Sequence, residues 1–193
     1  GQDATVHCPA AAVRTLEGFL EENGNIVLTR PGDSWKLGEL QITAYRGKHV
    51  AFSPSLVFQR LFSPKLFRRP KNLLFLAWAH PRFQGRKNTL VYEIRAEGKN
   101  ILLLGSMALD EKTEYPQGTD LLILPYQGKR RPEKAACEIV EKLKPKRILL
   151  DHFDDAFPPV SREEDTRPFY RMLSSRFPQI QAVKPKAGKP VRL

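Results

Sequence analysis

The stretch Lys142–Pro159, KLKPKRILLDHFDDAFPP, sets the tightest constraint on what this chain can fold into. It predicts the end of a helix, a tight Lys-Pro-Lys turn, a buried strand and a polar loop. Pro145 cannot sit inside a helix, so the helix stops before it. Arg147–Leu150 contributes Ile148, Leu149 and Leu150, a short apolar run that suits a strand covered on both faces. Asp151, His152, Asp154 and Asp155 follow at the C-terminal end of that strand. In open α/β sheets that end is where ligands and chemistry collect. The competing explanation is a solvated acidic loop in which His152 is a bystander.

The rest of the chain alternates strands and helices in a way that fits this frame. Ala4–His7 predicts a short strand, and Pro9 opens a helix over Ala10–Asn23 with Val13, Leu16, Phe19 and Leu20 on one face. Asn25–Thr29 is a strand, and Pro31-Gly32-Asp33 is turn chemistry. Trp35–Glu39 and Leu40–Arg46 read as a hairpin broken at Gly38, running out at Gly47-Lys48-His49. Ala51–Pro70 is long, aromatic and broken by prolines, the form of a lid or partner surface, or of packing. Leu73–Ala79 predicts a buried strand, with His80 after it as a structural or surface residue. Thr89–Arg95 and Ile101–Leu104 are strands joined at Glu97-Gly98-Lys99-Asn100, and Gly105-Ser106 ends the second. Asp120–Leu124 is a further strand. Arg131–Leu143 is a helix with Pro132 in its first turn. Arg162–Arg176 is predicted as the last helix, with Ser161 as N-cap and Glu164 completing a capping box. Gln181–Val183 and Val191–Leu193 are expected as terminal strands around a turn at Gly188.

With 193 residues, the chain has room for a single domain with a proper core. Its longest uncharged apolar run, Leu73–Ala79, is far too short to cross a bilayer. Gly1–Pro9 has no basic start followed by an apolar stretch, so no signal peptide is expected and the protein is placed in the cytoplasm. Cys8 and Cys137 are far apart and in no metal-binding spacing, which predicts two free thiols. The net charge of +11 permits nucleic acid or another anionic partner. Those charges are spread along the chain, as solubility alone would also produce.

Polar groups thus collect at the ends of four strands: His49, Ser106, the loop after Leu124, and His152. Two strand-end histidines flanking a Gly-Ser turn, with carboxylates beside one of them, suggest a metal site of imidazoles and carboxylates.

The order of these pieces resembles the metallo-β-lactamase fold superfamily. It runs Pro31-Gly32-Asp33, Ile42-Thr43-Ala44 and His49, then ILLLGSMALD, TDLLILPYQG, a helix, and KPKRILLDHFDD. The nearest likeness is to the ascorbate-lactonase-like soluble hydrolases of that superfamily. The resemblance implies an αββα sandwich with a metal cleft at one edge, its N-terminal part missing or reduced. It also implies a metal-dependent hydrolase acting on an ester, lactone or phosphodiester. His49 matches the first of the later ligand positions and His152 the last, while Ser106 stands where the family places a bridging Asp. The family's His-x-His-x-Asp-His motif is absent, because none of the 4 histidines has a second one two residues away. A neutral Ser106 cannot offset a second dication, so at most one ion of zinc, manganese or iron is expected. Asp154 or Asp155 is expected as a further ligand or general base, with Asp151 near the site, and Ser106→Ala is expected to change little. An incomplete sandwich exposes apolar surface and open edges, which predicts a homo-oligomer. The alternative function is a non-catalytic binding protein that keeps the fold and uses its basic surface for nucleic acid or another anion.

Overall fold

The structure is a computed structural model that describes residues 5–16, 25–51, 71, 74, 75, 78, 89–155 and 161–191. Among these residues the frame is a seven-stranded mixed sheet. Its strands, in spatial and chain order, are β3 (Ser34–Leu37), β4 (Leu40–Arg46), β5 (Leu90–Ala96), β6 (Lys99–Leu104), β7 (Leu121–Pro125), β8 (Arg147–Asp151) and β9 (Gln181–Val183). Strands β3 to β6 are antiparallel neighbours, whereas β6 to β9 run parallel. The crossover helices are α2 (Pro132–Leu143) and α3 (Arg167–Arg176). A separate parallel pair, β1 (Thr5–Cys8) and β2 (Asn25–Leu28), accompanies a short helix α1 (Ala10–Leu16).

The antiparallel half is set by local turn chemistry. Glu97 and Gly98 both have positive φ, 49° and 71°, which is the conformation a two-residue type I′ hairpin turn needs between β5 and β6. The parallel half is set by burial. Leu102, Leu122 and Ile148 lie in register and are 0% exposed. Leu104, Leu124 and Leu150 repeat the same face two residues on and are as deeply buried. Helix α2 covers this face with Ala136, Cys137, Ile139, Val140 and Leu143, and α3 with Phe169 and Leu173. Pro132 begins α2, where its missing N–H costs nothing, and Lys144 ends it in the left-handed conformation.

The opposite face is only half-buried at Ile101, Leu103, Ile123 and Leu149. The β1–β2 pair meets the sheet on this second face. The His7 ring stacks on Trp35 at 4.3 Å and 4°, and Trp35 meets Tyr92 edge-on at 6.3 Å. Helices thus seal one face and a small second sheet begins to cover the other, as an αββα layering requires.

The neighbouring buried strands β6, β7 and β8 and the helix over them follow the sequence reading. Three other elements differ. Lys71, Leu74, Phe75 and Trp78 are helical rather than part of a strand, and Leu74, Phe75 and Trp78 are exposed rather than buried. A seven-residue apolar run suits either state. The last helix begins at Arg167, not Arg162, because Pro168 is tolerated only in a first turn. The proposed capping box does not form: Ser161 Oγ donates to Asp155 instead, and Glu164 pairs with Arg162. Val191 is not in a strand. Most of Ala51–Pro70, together with His80, lies outside the described residues, as does the second half of the Ala10–Asn23 helix. Cys8 and Cys137 are both free and buried. No helix among the described residues is long and apolar enough to cross a membrane.

One charged group is sunk into the sheet. Glu93 on β5 is 3% exposed and fully bonded. Its carboxylate accepts from Tyr45 Oη at 2.8 Å, Asn100 Nδ2 at 2.8 Å and Arg95 Nη2 at 2.9 Å. Burial alone would raise its pKa, but the three donors outweigh burial and hold it below the ordinary glutamate value. Burial and the adjacent Glu93 push the Tyr45 hydroxyl up to about 12.

Two predictions follow from this packing. Leu122→Ala should lose about 2–5 kcal/mol of stability in chemical denaturation, because its site is enclosed and cannot collapse. Glu93, with its folded pKa depressed, adds stability that is complete above the ordinary glutamate pKa and disappears as pH falls through the lower folded value. Glu93→Gln should therefore flatten the acid limb of a stability–pH curve, while leaving a lower plateau at neutral pH.

Candidate active site

The C-terminal ends of β4, β6, β7 and β8 all reach one edge of the sheet, where they line a cleft of about 350 Å³. Its walls carry His49 after β4, Gly105 and Ser106 after β6, Gln127 and Gly128 after β7, and Asp151 and His152 at the end of β8. Tyr92 and Leu103, cross-strand partners on the half-buried face, contribute to the same lining. The cleft therefore opens on the side of the sheet that carries the β1–β2 pair.

Each wall is fixed by identifiable bonds. After β4, Gly47 N donates to the Thr89 carbonyl at 2.8 Å. The Tyr115 hydroxyl donates to the Arg46 carbonyl at 2.6 Å and accepts from Asp110 N at 2.9 Å, clamping the end of β4 to the loop after β6. The Ser106 hydroxyl accepts from Val50 N at 2.9 Å in a buried position. His49 bonds the Val50 carbonyl through Nδ1 at 2.8 Å. A carbonyl can only accept, so Nδ1 carries a proton in this bond. In the neutral ring that tautomer is the one an imidazole uses when Nε2 holds a metal or takes a proton.

The second histidine is held differently. His152 has φ of 51°, left-handed for a non-glycine residue. Such a conformation persists only where surrounding structure enforces it. Here Tyr126 N donates to the Asp151 carbonyl at 2.8 Å just before it. Just after it, Glu164 N donates to the Phe153 carbonyl at 2.8 Å. The Gln127 side chain donates to the Arg162 carbonyl at 2.8 Å and to the Asp154 carbonyl at 3.3 Å, joining the two sides of this loop.

Gly105 is demanded by close approach. A Cβ at that position would lie 2.5 Å from the Leu90 carbonyl oxygen on the adjacent strand. Any larger residue would push β5 and β6 apart at the cleft.

Of the residues expected at the site, His49, Ser106, Asp151 and His152 line the cleft. Asp154 and Asp155 are not among its lining residues; both are exposed, and Asp155 Oδ1 accepts from Ser161 Oγ at 3.0 Å. Tyr92 and Gln127 were not expected there. The Tyr92 placement follows from β-register, and Gln127 is the first polar residue past the end of β7.

A metal is the group this fold implies, and the donors can be tested against it. Among the described residues no three His, Cys, Asp or Glu side chains are grouped so as to hold a metal ion. The Ser106 hydroxyl is engaged with a backbone N–H. The described residues alone therefore do not fit a metal centre.

Ser106 also has a structural duty that the sequence does not reveal. Ser106→Ala leaves the buried Val50 N–H without its acceptor and should cost about 1–3 kcal/mol of stability. Denaturant melts of Ser106→Ala should show this loss and amide exchange should report a loosened 47–50 segment.

No family model matches the sequence, and no curated protein matches it at a significant level. Solved structures do match. The metallo-beta-lactamase fold protein YhfI from Bacillus subtilis superposes with a TM-score of 0.54 at 10% identity, covering 93% of this chain and 62% of its own. Zn(2+)-bound PqqB from Methylobacterium extorquens gives 0.53 at 10% identity, with 93% and 62% covered. CmlA, a diiron beta-hydroxylase from Streptomyces venezuelae, gives 0.52 at 10% identity, covering 93% of this chain but 38% of its own. The chain spans less than two thirds of the length of these three structures. Over nearly all of its own length it has the metallo-β-lactamase fold.

Proposed function

We propose that this chain forms the substrate cleft of a hydrolase of the metallo-β-lactamase superfamily, acting on an ester, lactone or phosphodiester. The observation that carries this reading is the convergence of His49, Ser106, Asp151 and His152, from three separate strand ends, on one cleft. Polar and titratable groups gathered in a concave site at strand ends are the usual mark of a functional cleft. His49 and His152 are the two groups assigned to metal ligation or proton transfer. His49 is pre-set for either by its Nδ1 bond. Ser106 and Gln127 position the loops that carry them. Leu103, Leu104 and Met107 supply apolar wall that excludes water from a bound acyl or phosphoryl group. A zinc, manganese or iron ion, at most one, would need donors beyond the described residues.

A second reading has its own support. A net charge of +11 favours a protein of this fold that binds nucleic acid or another anion.

One experiment separates the two. Purified chain is analysed for bound metal and assayed on an aryl ester, a lactone and an aryl phosphodiester with added zinc, manganese or iron. The hydrolase reading expects turnover on one of the three, and a loss of about 10²–10⁴-fold in His152→Ala. Absence of turnover with every metal, together with salt-dependent binding of an oligonucleotide, would overturn it in favour of the binder.

A further inference from the structure

A second pocket, of about 280 Å³, lies between the β1–β2 pair and the large sheet. It is lined by Pro9, Leu28, Thr29 and Arg30 from the small pair and the turn between β2 and β3, and by Arg46, Thr89 and Leu90 from the large sheet. The two pockets are lined by neighbouring strands: Leu90 of this pocket is the residue whose carbonyl a Cβ at Gly105 of the cleft would meet.

Two arginines line this pocket, Arg30 from the turn between β2 and β3 and Arg46 from the end of β4. Neither forms an ion pair with a carboxylate among the described residues. Two acids lie close to these arginines, and each also holds backbone or hydroxyl donors. Asp33 Oδ2 accepts from the backbone N–H of Arg30 at 2.7 Å. Asp110, which senses Arg46, accepts from Thr113 Oγ1 and from Lys112 N. Thr29 at the pocket wall is 3% exposed, and its buried hydroxyl has no hydrogen-bond partner. By contrast, the basic pocket at the opposite sheet edge contains its own counter-charge, since Lys146 pairs with Asp120 at 2.8 Å.

Arg30 and Arg46 line one pocket beside the buried Thr29 hydroxyl, and neither is in an ion pair among the described residues, so a bound dianion can be held by both. Guanidinium forks also match the oxygens of phosphate in geometry. We propose that Arg30 and Arg46 form a subsite for the phosphate monoester group of a substrate whose reacting part sits in the neighbouring cleft. A dianionic phosphate balances both arginines, whereas a monocarboxylate balances one. The substrate role rests on the reading of the cleft given above; the phosphate site itself does not.

The test is a calorimetric titration of the whole chain with inorganic phosphate at low salt, with acetate as the second probe. Wild type should bind phosphate, and acetate should bind at least about tenfold more weakly. The double variant Arg30→Gln/Arg46→Gln should weaken phosphate binding by at least about tenfold, while Lys146→Gln should leave it unchanged. Should the glutamine variant not fold, Arg30→Lys/Arg46→Lys keeps both charges, removes the forks and should still weaken binding severalfold. The proposal is overturned if wild type does not bind phosphate, if acetate binds as tightly, or if the folded double variant binds as wild type does. Loss of hydrolysis with phosphate binding intact would count against the cleft reading alone.

Discussion

The sealing of one face of β6, β7 and β8 is the constraint on which the rest depends. Leu102, Leu122 and Ile148 form one buried row and Leu104, Leu124 and Leu150 the next, with α2 and α3 closed over both. Parallel strands need crossover connections, and those connections need an apolar face to lie on. Once that face is filled, all three strands must end at the same edge. Ser106, Gln127 and His152 then meet because the strands that carry them were forced into register by leucines and isoleucines. The cleft is thus a consequence of the core. The polar residues needed only to follow the last buried position of each strand.

Much of this was legible in the sequence, and the reasons differ by region. The Ile148–Leu150 strand, its proline-terminated helix and the Glu97-Gly98 hairpin were legible because each is dictated by local chemistry: a breaker, an apolar run, or a turn that needs positive φ. Leu73–Ala79 was not, since an apolar run of that length carries no period that separates strand from helix. The start of α3 was misplaced because Ser161 and Glu164 stand at capping spacing, yet tertiary partners took both. Asp155 occupies the Ser161 hydroxyl, and Phe153 takes the Glu164 backbone N–H. A four-residue motif is easily displaced by bonds to the loop just before it.

The site was legible in its positions and less so in its roles. His49, Ser106 and His152 could be placed at strand ends from sequence because a strand ends where its apolar run does. Asp154 and Asp155 could not be assigned by proximity, because the left-handed turn at His152 redirects the chain just before them. Ser106 looked like a degraded ligand. In the structure its hydroxyl is a brace between the β4 and β6 loops, without which the tautomer of His49 has no fixed carbonyl to bond. Bonds between loops more than fifty residues apart leave no trace in local sequence.

The two faces of the sheet divide the labour further. The helix-covered face is saturated with apolar contact and has no room for a ligand. The other face is half-buried, carries Tyr92 and Leu103 into the cleft, and is met by a second sheet. Similar folds house a Zn(2+)-bound protein and a diiron hydroxylase, so the layering does not choose the reaction. What distinguishes one member from another must be the groups delivered between the two sheets. In this chain those are a carbonyl-bound imidazole, a strained histidine and two arginines without carboxylate partners among the described residues. Only the first two point towards bond cleavage. The arginines point towards holding an anion, and they do so from the β2–β3 turn and the end of β4, so an anion bound between them would also fix that turn against the large sheet.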